Sequence, residues 1–225
     1  MATEVHTIHL GLDRCYVLRD KGTIMVDGGN PGRIKQFKRA VNKIPIGPRD
    51  LQLILLTHGH WDHIGCASHI RELAGAKIAV HRHDRECLER ALKFMPPGVN
   101  ARGVFLEKAL TLVLPFVHIP ACTVDVVIED EGLSLSDYGI PGKVIHTPGH
   151  SPGSVAVLLD SGEAFVGDMA MNMFPFRYGA NLPVLAEDFA QLKESWRNLL
   201  NQGAKTIYPA HRKPFSSDII RNVLP

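Results

Sequence analysis

Cysteine is scarce in this chain and follows no pattern. The four residues, Cys15, Cys66, Cys87 and Cys122, show no Cys-x-x-Cys spacing, so free thiols in a reducing compartment are expected rather than a disulfide framework. Excess charge of one sign is also lacking. A formal net charge of +2, with no stripe of Lys and Arg, excludes a nucleic-acid partner. The longest apolar stretches are broken by Pro115 and Pro120 and are too short to span a bilayer, so no membrane partner is expected. The first residues carry neither a basic n-region nor an apolar h-region, which points to a cytoplasmic protein. Low-complexity linkers, heptads and internal repeats are missing too. Residues 1–225 are therefore expected to form one α/β domain with a substantial core.

What is present is concentrated in residues 57–63, which read Thr-His-Gly-His-Trp-Asp-His. His58, His60, Asp62 and His63 are four metal-ligand side chains within six positions. Three imidazoles and a carboxylate suit zinc, iron or manganese better than calcium or magnesium. The motif follows the apolar run at 51–56, which reads as a buried strand, so the ligands sit where a strand leaves a sheet. His58 and His60, two apart in extended chain, can face one ion. Asp62 and His63 follow the turn, where a helix is expected to start with Asp62 near its N-cap. They are better placed to face a second ion.

Three later positions repeat the pattern of strand followed by ligand: His150 in the turn-rich stretch 146–153, Asp168 after the apolar run 163–167, and His211 after 207–210. Asp27, in Val26-Asp27-Gly28-Gly29, is a fifth strand-end acid and reads equally well as an Asp-Gly turn. A sheet edge that receives several strand ends can gather such distant residues into one pocket.

The ordered set Asp27, His58-x-His60-x-Asp62-His63, His150, Asp168 and His211 resembles the signature motifs of the metallo-β-lactamase fold superfamily, over nearly the whole chain. That resemblance implies a four-layer αββα sandwich with the metal site at one edge of its two sheets. It also implies a ligand set: His58, His60 and His150 for one ion, Asp62, His63 and His211 for a second, Asp168 bridging both, and Asp27 orienting a ligand from outside. The cofactor implied is a pair of divalent ions, zinc first, with iron or manganese as alternatives. Asp168 and Asp62 are the expected catalytic acids. The implied activity is hydrolysis of an ester, thioester, lactone or amide in a small molecule by metal-bound hydroxide, closest in ligand set to the glyoxalase II branch. The carboxylate at 168 separates the chain from lactamases that carry Cys or Ser there. Met169-Ala170-Met171 stands where acyl-homoserine lactonases usually place a Tyr. A mononuclear-iron persulfide dioxygenase, on His58, His150 and Asp168, is the alternative from another class. A non-catalytic metal-binding protein is the third.

Periodicity places strands near 5–10, 14–19, 22–26, 51–56, 77–80, 124–128, 143–147, 154–159, 163–166 and 206–208. Helices fit 31–43, 64–74, 84–94 and 189–200. This mixed order favours two sheets with outer helices over a doubly wound parallel sheet. Residues 94–122 form an insert: Pro96-Pro97-Gly98 punctuates it, and 104–114 read as a helix with more apolar positions than one core-facing stripe needs. An active-site wall and a homodimer interface are the expected uses of that excess. The Met- and Phe-rich stretch 169–179, with Arg177 and Tyr178, suits a pliable substrate wall. His6, His9, His69, His81, His83, His118 and His146 lack ligand-type neighbours of their own. His81-Arg82-His83 repeats the His-x-His spacing without the following Asp-His pair and is left outside the metal shell.

Overall fold

The computed structural model describes residues 2–171, 177–178 and 181–224. Three strands, β1 (Glu4–Leu10), β2 (Asp13–Arg19) and β3 (Thr23–Val26), form an antiparallel meander. From β3 the chain crosses through α1 (Ile34–Val41) to β4 (Leu53–Leu55), through α2 (Trp61–Ile64) and α3 (Ala67–Ala74) to β5 (Lys77–His81), and through α4 (Arg85–Glu89) and α5 (Ala101–Thr111) to β6 (Val126–Ile128). β3 to β6 are parallel, and the first sheet runs β1-β2-β3-β4-β5-β6.

The second sheet has the order β14-β13-β10-β9-β8-β7. Its members are β7 (Leu133–Ser134), β8 (Gly142–His146), β9 (Val155–Leu159), β10 (Glu163–Met171), β13 (Thr206–His211) and β14 (Phe215–Ser216). All of its neighbours are antiparallel except β10 and β13. A ribbon of β11 (Arg177–Tyr178) and β12 (Leu182–Pro183) stands apart, while α6 (Phe189–Asn201) joins it to β13 and α7 (Asp218–Arg221) follows β14.

Alternating side chains sort the strands into layers. Ile24, Val26, Leu53 and Leu55 meet Val155, Val157, Leu159 and Phe165 between the sheets. Met25, Ile54 and Leu56, on the opposite face, pack against Phe37 of α1 and Ile70 of α3. Ala156 and Leu158 pack outward against Leu192, Trp196 and Leu199 of α6. The result is the αββα sandwich. Tyr16 crosses the inner layer, its hydroxyl donating to the Pro209 carbonyl at 2.6 Å.

Parallel pairing decides where chemistry collects. β3 and β4 end at the same edge, as do β10 and β13, so Asp27 and His58, beyond the ends of their strands, meet Asp168 and His211, within the last residues of theirs. β9 runs antiparallel to β10, which brings the loop before it, with His150, to that edge as well.

Several boundaries differ from the sequence expectation. The helix expected over 64–74 is two helices split at Gly65, where Pro31 packs too closely for a side chain. The N-cap of α2 is His60, and Asp62 lies in its first turn rather than at the cap. α4 stops at Glu89 instead of 94, and Ala91 takes φ 51° as the chain turns away. The insert helix spans Ala101–Thr111 rather than 104–114. Asn100 caps its start by accepting from the Gly103 amide, and Pro115 enforces a separate short turn at Leu114–Phe116. Asp168 does not close its strand, because β10 continues to Met171 through a register shift around Gly167.

Trp196 ties α6 to that strand, its Nε1–H donating to the Met169 carbonyl at 3.0 Å. Trp196→Phe leaves the buried carbonyl unpaired and should cost about 1–3 kcal/mol of unfolding free energy, read from urea melts.

Candidate metal centre

Three imidazoles converge first. Buried His58 and His60 leave the end of β4, and His150 approaches from the loop before β9. His150 Nδ1–H donates to the Leu185 carbonyl at 3.0 Å, which leaves Nε2 bare, 3.0 Å from His60 Nδ1. Each of the three residues offers a ligand atom within 4.8 Å of the others. Burial, followed by the neighbouring rings, holds the pKa of His58 and of His60 well below the ordinary value. Burial also lowers His150. All three are neutral near pH 7, with lone pairs to share.

Asp13, Asp62, His63 and His211 form a second group, and His58, His63 and Asp168 a third that overlaps the first. The Asp168 carboxylate stands between them. Its Oδ1 is 3.4 Å from His63 Nε2 and 3.2 Å from His211 Nε2, and its Oδ2 is 3.9 Å from His150 Nε2. Burial alone would raise this carboxyl, but His211 and His63 hold it well below the usual range. The same contacts act on the rings. Burial opposes protonation of His211, yet Asp168, then Asp13 and Asp62, push it up to about 9. His63 is likewise raised, against its burial, by Asp168, Asp27 and Asp62.

Asp27 is not a plain turn residue. Its buried carboxylate, on a backbone at φ 64°, accepts from Thr57 N at 2.8 Å and from Thr57 Oγ1 at 2.8 Å, and lies 3.0 Å from His63 Nδ1. With Nδ1–H directed at Asp27, His63 turns its Nε2 inward, the nitrogen that a metal would take in place of a proton. Thr57 Oγ1 in turn sits 3.1 Å from His58 Nδ1, so one carboxylate orients two rings. Gly167, at φ 52°, lets the shifted part of β10 approach Thr57, where any Cβ would collide with the hydroxyl.

The residues fit a metal. His58 Nε2, His60 Nε2, His63 Nε2, Asp168 Oδ1, Asp13 Oδ1 and His211 Nδ1 are buried without a hydrogen bond among the described residues, an accumulation that an apolar or purely hydrogen-bonded site does not tolerate. Imidazoles and carboxylates in this proportion suit zinc, iron or manganese, with His63 and His211 giving up a proton on binding.

Two residues escaped the sequence reading. Asp13, fully buried, lies 3.3 Å from His211 Nδ1 and accepts from Asn30 Nδ2 at 2.8 Å. Asp84, also buried, accepts from Gly59 N at 2.7 Å, Ser151 Oγ at 2.7 Å and Gly153 N at 3.1 Å. It laces the His58–His60 loop to the His150 loop. Both are single acids in ordinary-looking segments. Their only sequence signal was a charge where the flanking strand is apolar.

A cleft of about 130 Å³ opens over these groups. Its floor includes His60, Asp62, His150, Asp168 and His211, and its walls include Leu12, Trp61, Met95, Pro96, Leu110 and Leu185. Residues 94–122 thus supply part of the wall, and the Phe94 ring lies 5.0 Å from that of His60. Within the insert Leu110 faces the cleft, Leu114 is buried, and Leu112 and Phe116 are exposed. His118 is not among the lining residues. The expected wall at 169–179 lies outside the described residues from 172 to 176 and at 179, as do the side chains of Arg177 and Tyr178. Met171 lines the cleft.

Two outcomes follow. Asp84→Asn places a donor where three donors converge, and Asp27→Ala frees His63. Each should weaken binding of a divalent ion by about 10–100-fold with the fold retained, measured by competition with a chromophoric chelator. In metal-stripped protein, His211 at about 9 stands above its ordinary 6.5. The stability it contributes is complete below pH 6.5 and is lost as pH rises through 9. The melting temperature of stripped protein should fall over that interval, and fall less in His211→Gln.

Comparison with known proteins agrees with this geometry. The family model described as the metallo-beta-lactamase superfamily matches residues 13–211. The Bacillus subtilis protein named "Probable metallo-hydrolase YqgX" is 27% identical over 157 residues, covering 68% of this chain and 64% of its own length. The chain therefore spans just under two thirds of that relative. The hydroxyacylglutathione hydrolase GloC of Haemophilus influenzae is 27% identical over 177 residues, 75% of this chain and 72% of the relative. Among solved structures, an archaeal metallo-beta-lactamase superfamily protein from Sulfolobus tokodaii matches with a TM-score of 0.70 and 25% identity, over 100% of this chain and 86% of that one. Among the described residues no helix is long and apolar enough to cross a membrane.

Proposed function

This chain belongs to the metallo-β-lactamase superfamily, and from that premise we propose that it is a zinc-dependent, dinuclear hydrolase of an ester, thioester, lactone or amide bond in a small molecule. The observation that carries the reading is the Asp168 carboxylate held between two converging sets of ligand atoms. His58, His60 and His150 would hold one ion, and Asp62, His63 and His211 the other, with Asp168 shared. Bound there, two cations supply an activated water at neutral pH and polarise the oxygen of the scissile group.

The chain's own residues do the rest. Leu185, Thr57, Asp27 and Asp13 fix the orientation of His150, His58, His63 and His211 through contacts of 3.0–3.3 Å. Asp168, kept ionised by its two imidazole neighbours, is assigned the transfer of the proton from the attacking water, through Oδ2 on the His150 side, to the leaving oxygen, sulfur or nitrogen. The apolar walls exclude water and receive an acyl group. The name of the Haemophilus relative supports a thioester among the candidates. Exposed Phe105, Leu112, Val113 and Phe116 support pairing of two copies through the 94–122 segment.

The second reading, a single-iron persulfide dioxygenase on His58, His150 and Asp168, leaves His60 outside the ligand set, although it is buried with His58 and His150 in one group of candidate ligands. Metal analysis combined with a panel of acyl esters, thioesters and lactones and an oxygen electrode separates the two. Two zinc ions per chain and hydrolysis without oxygen uptake are expected. One iron with persulfide-dependent oxygen uptake would replace this reading by the dioxygenase. Asp168→Ala should lose the second ion and more than about 100-fold in kcat, beyond the range of outer-shell changes. Leu110→Asp should raise KM for apolar acyl substrates about tenfold at nearly constant kcat, since it touches binding and not the reacting atoms.

A further inference from the structure

Residues 81–83 repeat the His-x-His spacing of the cleft, and the fold sets them at another meeting point of the two sheets. His81 closes β5 and is fully buried, and His83 follows in the short turn Arg82–Asp84. Asp130 lies in the link from β6 to β7, where the chain passes from the first sheet to the second, and His146 ends β8. His81 Nε2 has no hydrogen bond, although Asp130 Oδ1 is 3.2 Å away, so the two atoms are close but misaligned for donation. His146 Nδ1 is 3.5 Å from the same oxygen, while its Nε2 faces the Pro152 carbonyl at 2.9 Å. Asp130 Oδ1 thus faces two ring nitrogens, and the buried one, His81 Nε2, is left without a hydrogen bond. The Arg82 guanidinium pairs with the other oxygen, Oδ2, at 2.6 Å and leaves Oδ1 to the imidazoles.

We propose that His81, His83 and Asp130 form a separate site for a zinc-type divalent cation, distinct from the cleft. Ligand atoms of these three residues lie within 4.8 Å of one another. Two ligands each 2.0–2.1 Å from a tetrahedral ion stand roughly 3.3 Å apart, which matches the 3.2 Å between His81 Nε2 and Asp130 Oδ1. Imidazole with carboxylate selects a borderline-soft ion over calcium or magnesium. Burial, followed by His146 and His83, holds His81 down to about 4, so its ring is neutral near pH 7. Coordination at Nε2 moves the ring proton to Nδ1 and gives up the contact from the His83 amide, which at 3.4 Å is longer than an ordinary hydrogen bond. His146 stacks on His81 with centroids 4.0 Å apart and planes 12° apart, and so covers one face of the ligand ring. An ion here clips the end of β5 to the link between the sheets and steadies β8, which leads into the His150 loop. The site stands independently of the hydrolase reading.

The test is equilibrium dialysis of the whole protein against micromolar zinc chloride, with zinc per chain measured by mass spectrometry. His83→Ala and Asp130→Asn alter side chains at the surface and leave the cleft residues in place. Each variant should hold one zinc ion per chain fewer than wild type, whatever number the cleft holds, and hydrolytic turnover should be unchanged. A zinc content equal to wild type in either variant overturns the site and reduces the cluster to a hydrogen-bonded group of imidazoles. Near-ultraviolet circular dichroism of both variants confirms that any loss is not unfolding.

Discussion

Imidazoles and carboxylates packed together out of water are the constraint to which the joined edge of the two sheets answers. A buried carboxylate without a partner is costly, and so is a buried imidazolium. Here each offsets the other. Asp168 faces His63 and His211, Asp27 faces His63, and Asp13 faces His211. His58, His60 and His150, crowded against one another, stay neutral instead. The division into a neutral triad and a charged group is an electrostatic outcome of burial, and it leaves several buried donor and acceptor atoms without hydrogen bonds. Such atoms are the mark of a site made to hold a cation, since a cation satisfies lone pairs that protein groups leave facing each other.

Rigidity comes from the way the ligand-bearing segments are tied. Each leaves, or leads into, a buried strand, and carboxylates on neighbouring elements cross-link the loops. Asp27 joins the end of β3 to Thr57 and His63, while Asp84 joins the His58–His60 loop to the His150 loop. Gly153 is suited to that last contact, because a Cβ there would meet the Asp84 carboxyl group. The shift in β10 at Gly167 turns Asp168 toward the imidazoles while its strand continues beyond it. Binding geometry thus rests on hydrogen bonds to backbone and on strand ends, and less on the mobile tips of loops. Residues 94–122 add an apolar wall to this frame without contributing a ligand. The sheet edge therefore carries the candidate ligands, and residues 94–122 shape the cleft above them.

Much of this was legible without coordinates. The His-x-His-x-Asp-His element points to a metal site because four ligand side chains within six positions are not an accident of surface polarity, and apolar runs before His58, Asp168 and His211 tie them to strands, although β10 runs on past Asp168. Strand and helix types followed from periodicity, since alternation and 3.6-residue spacing are properties of local chain. Boundaries did not. The break at Gly65 depends on Pro31, thirty-four positions earlier in the chain, and α4 is cut short by a left-handed residue at Ala91.

The sequence by itself carried the His and Asp residues that the structure gathers at the cleft, apart from Asp13, the order of strands and helices, and the family to which that order belongs, because these follow from residue type and short-range spacing. The tertiary structure alone decided which ring nitrogen faces inward, that Asp27 is a buried partner of Thr57 and His63 and no mere turn, and that Asp13 and Asp84 belong to the site at all. It also decided that His81, His83 and Asp130 meet, although 47 positions separate His83 from Asp130. Those facts depend on hydrogen bonds and charges brought together by sheet pairing. A single carboxylate carries no local pattern to say what it will face once the chain has closed around it.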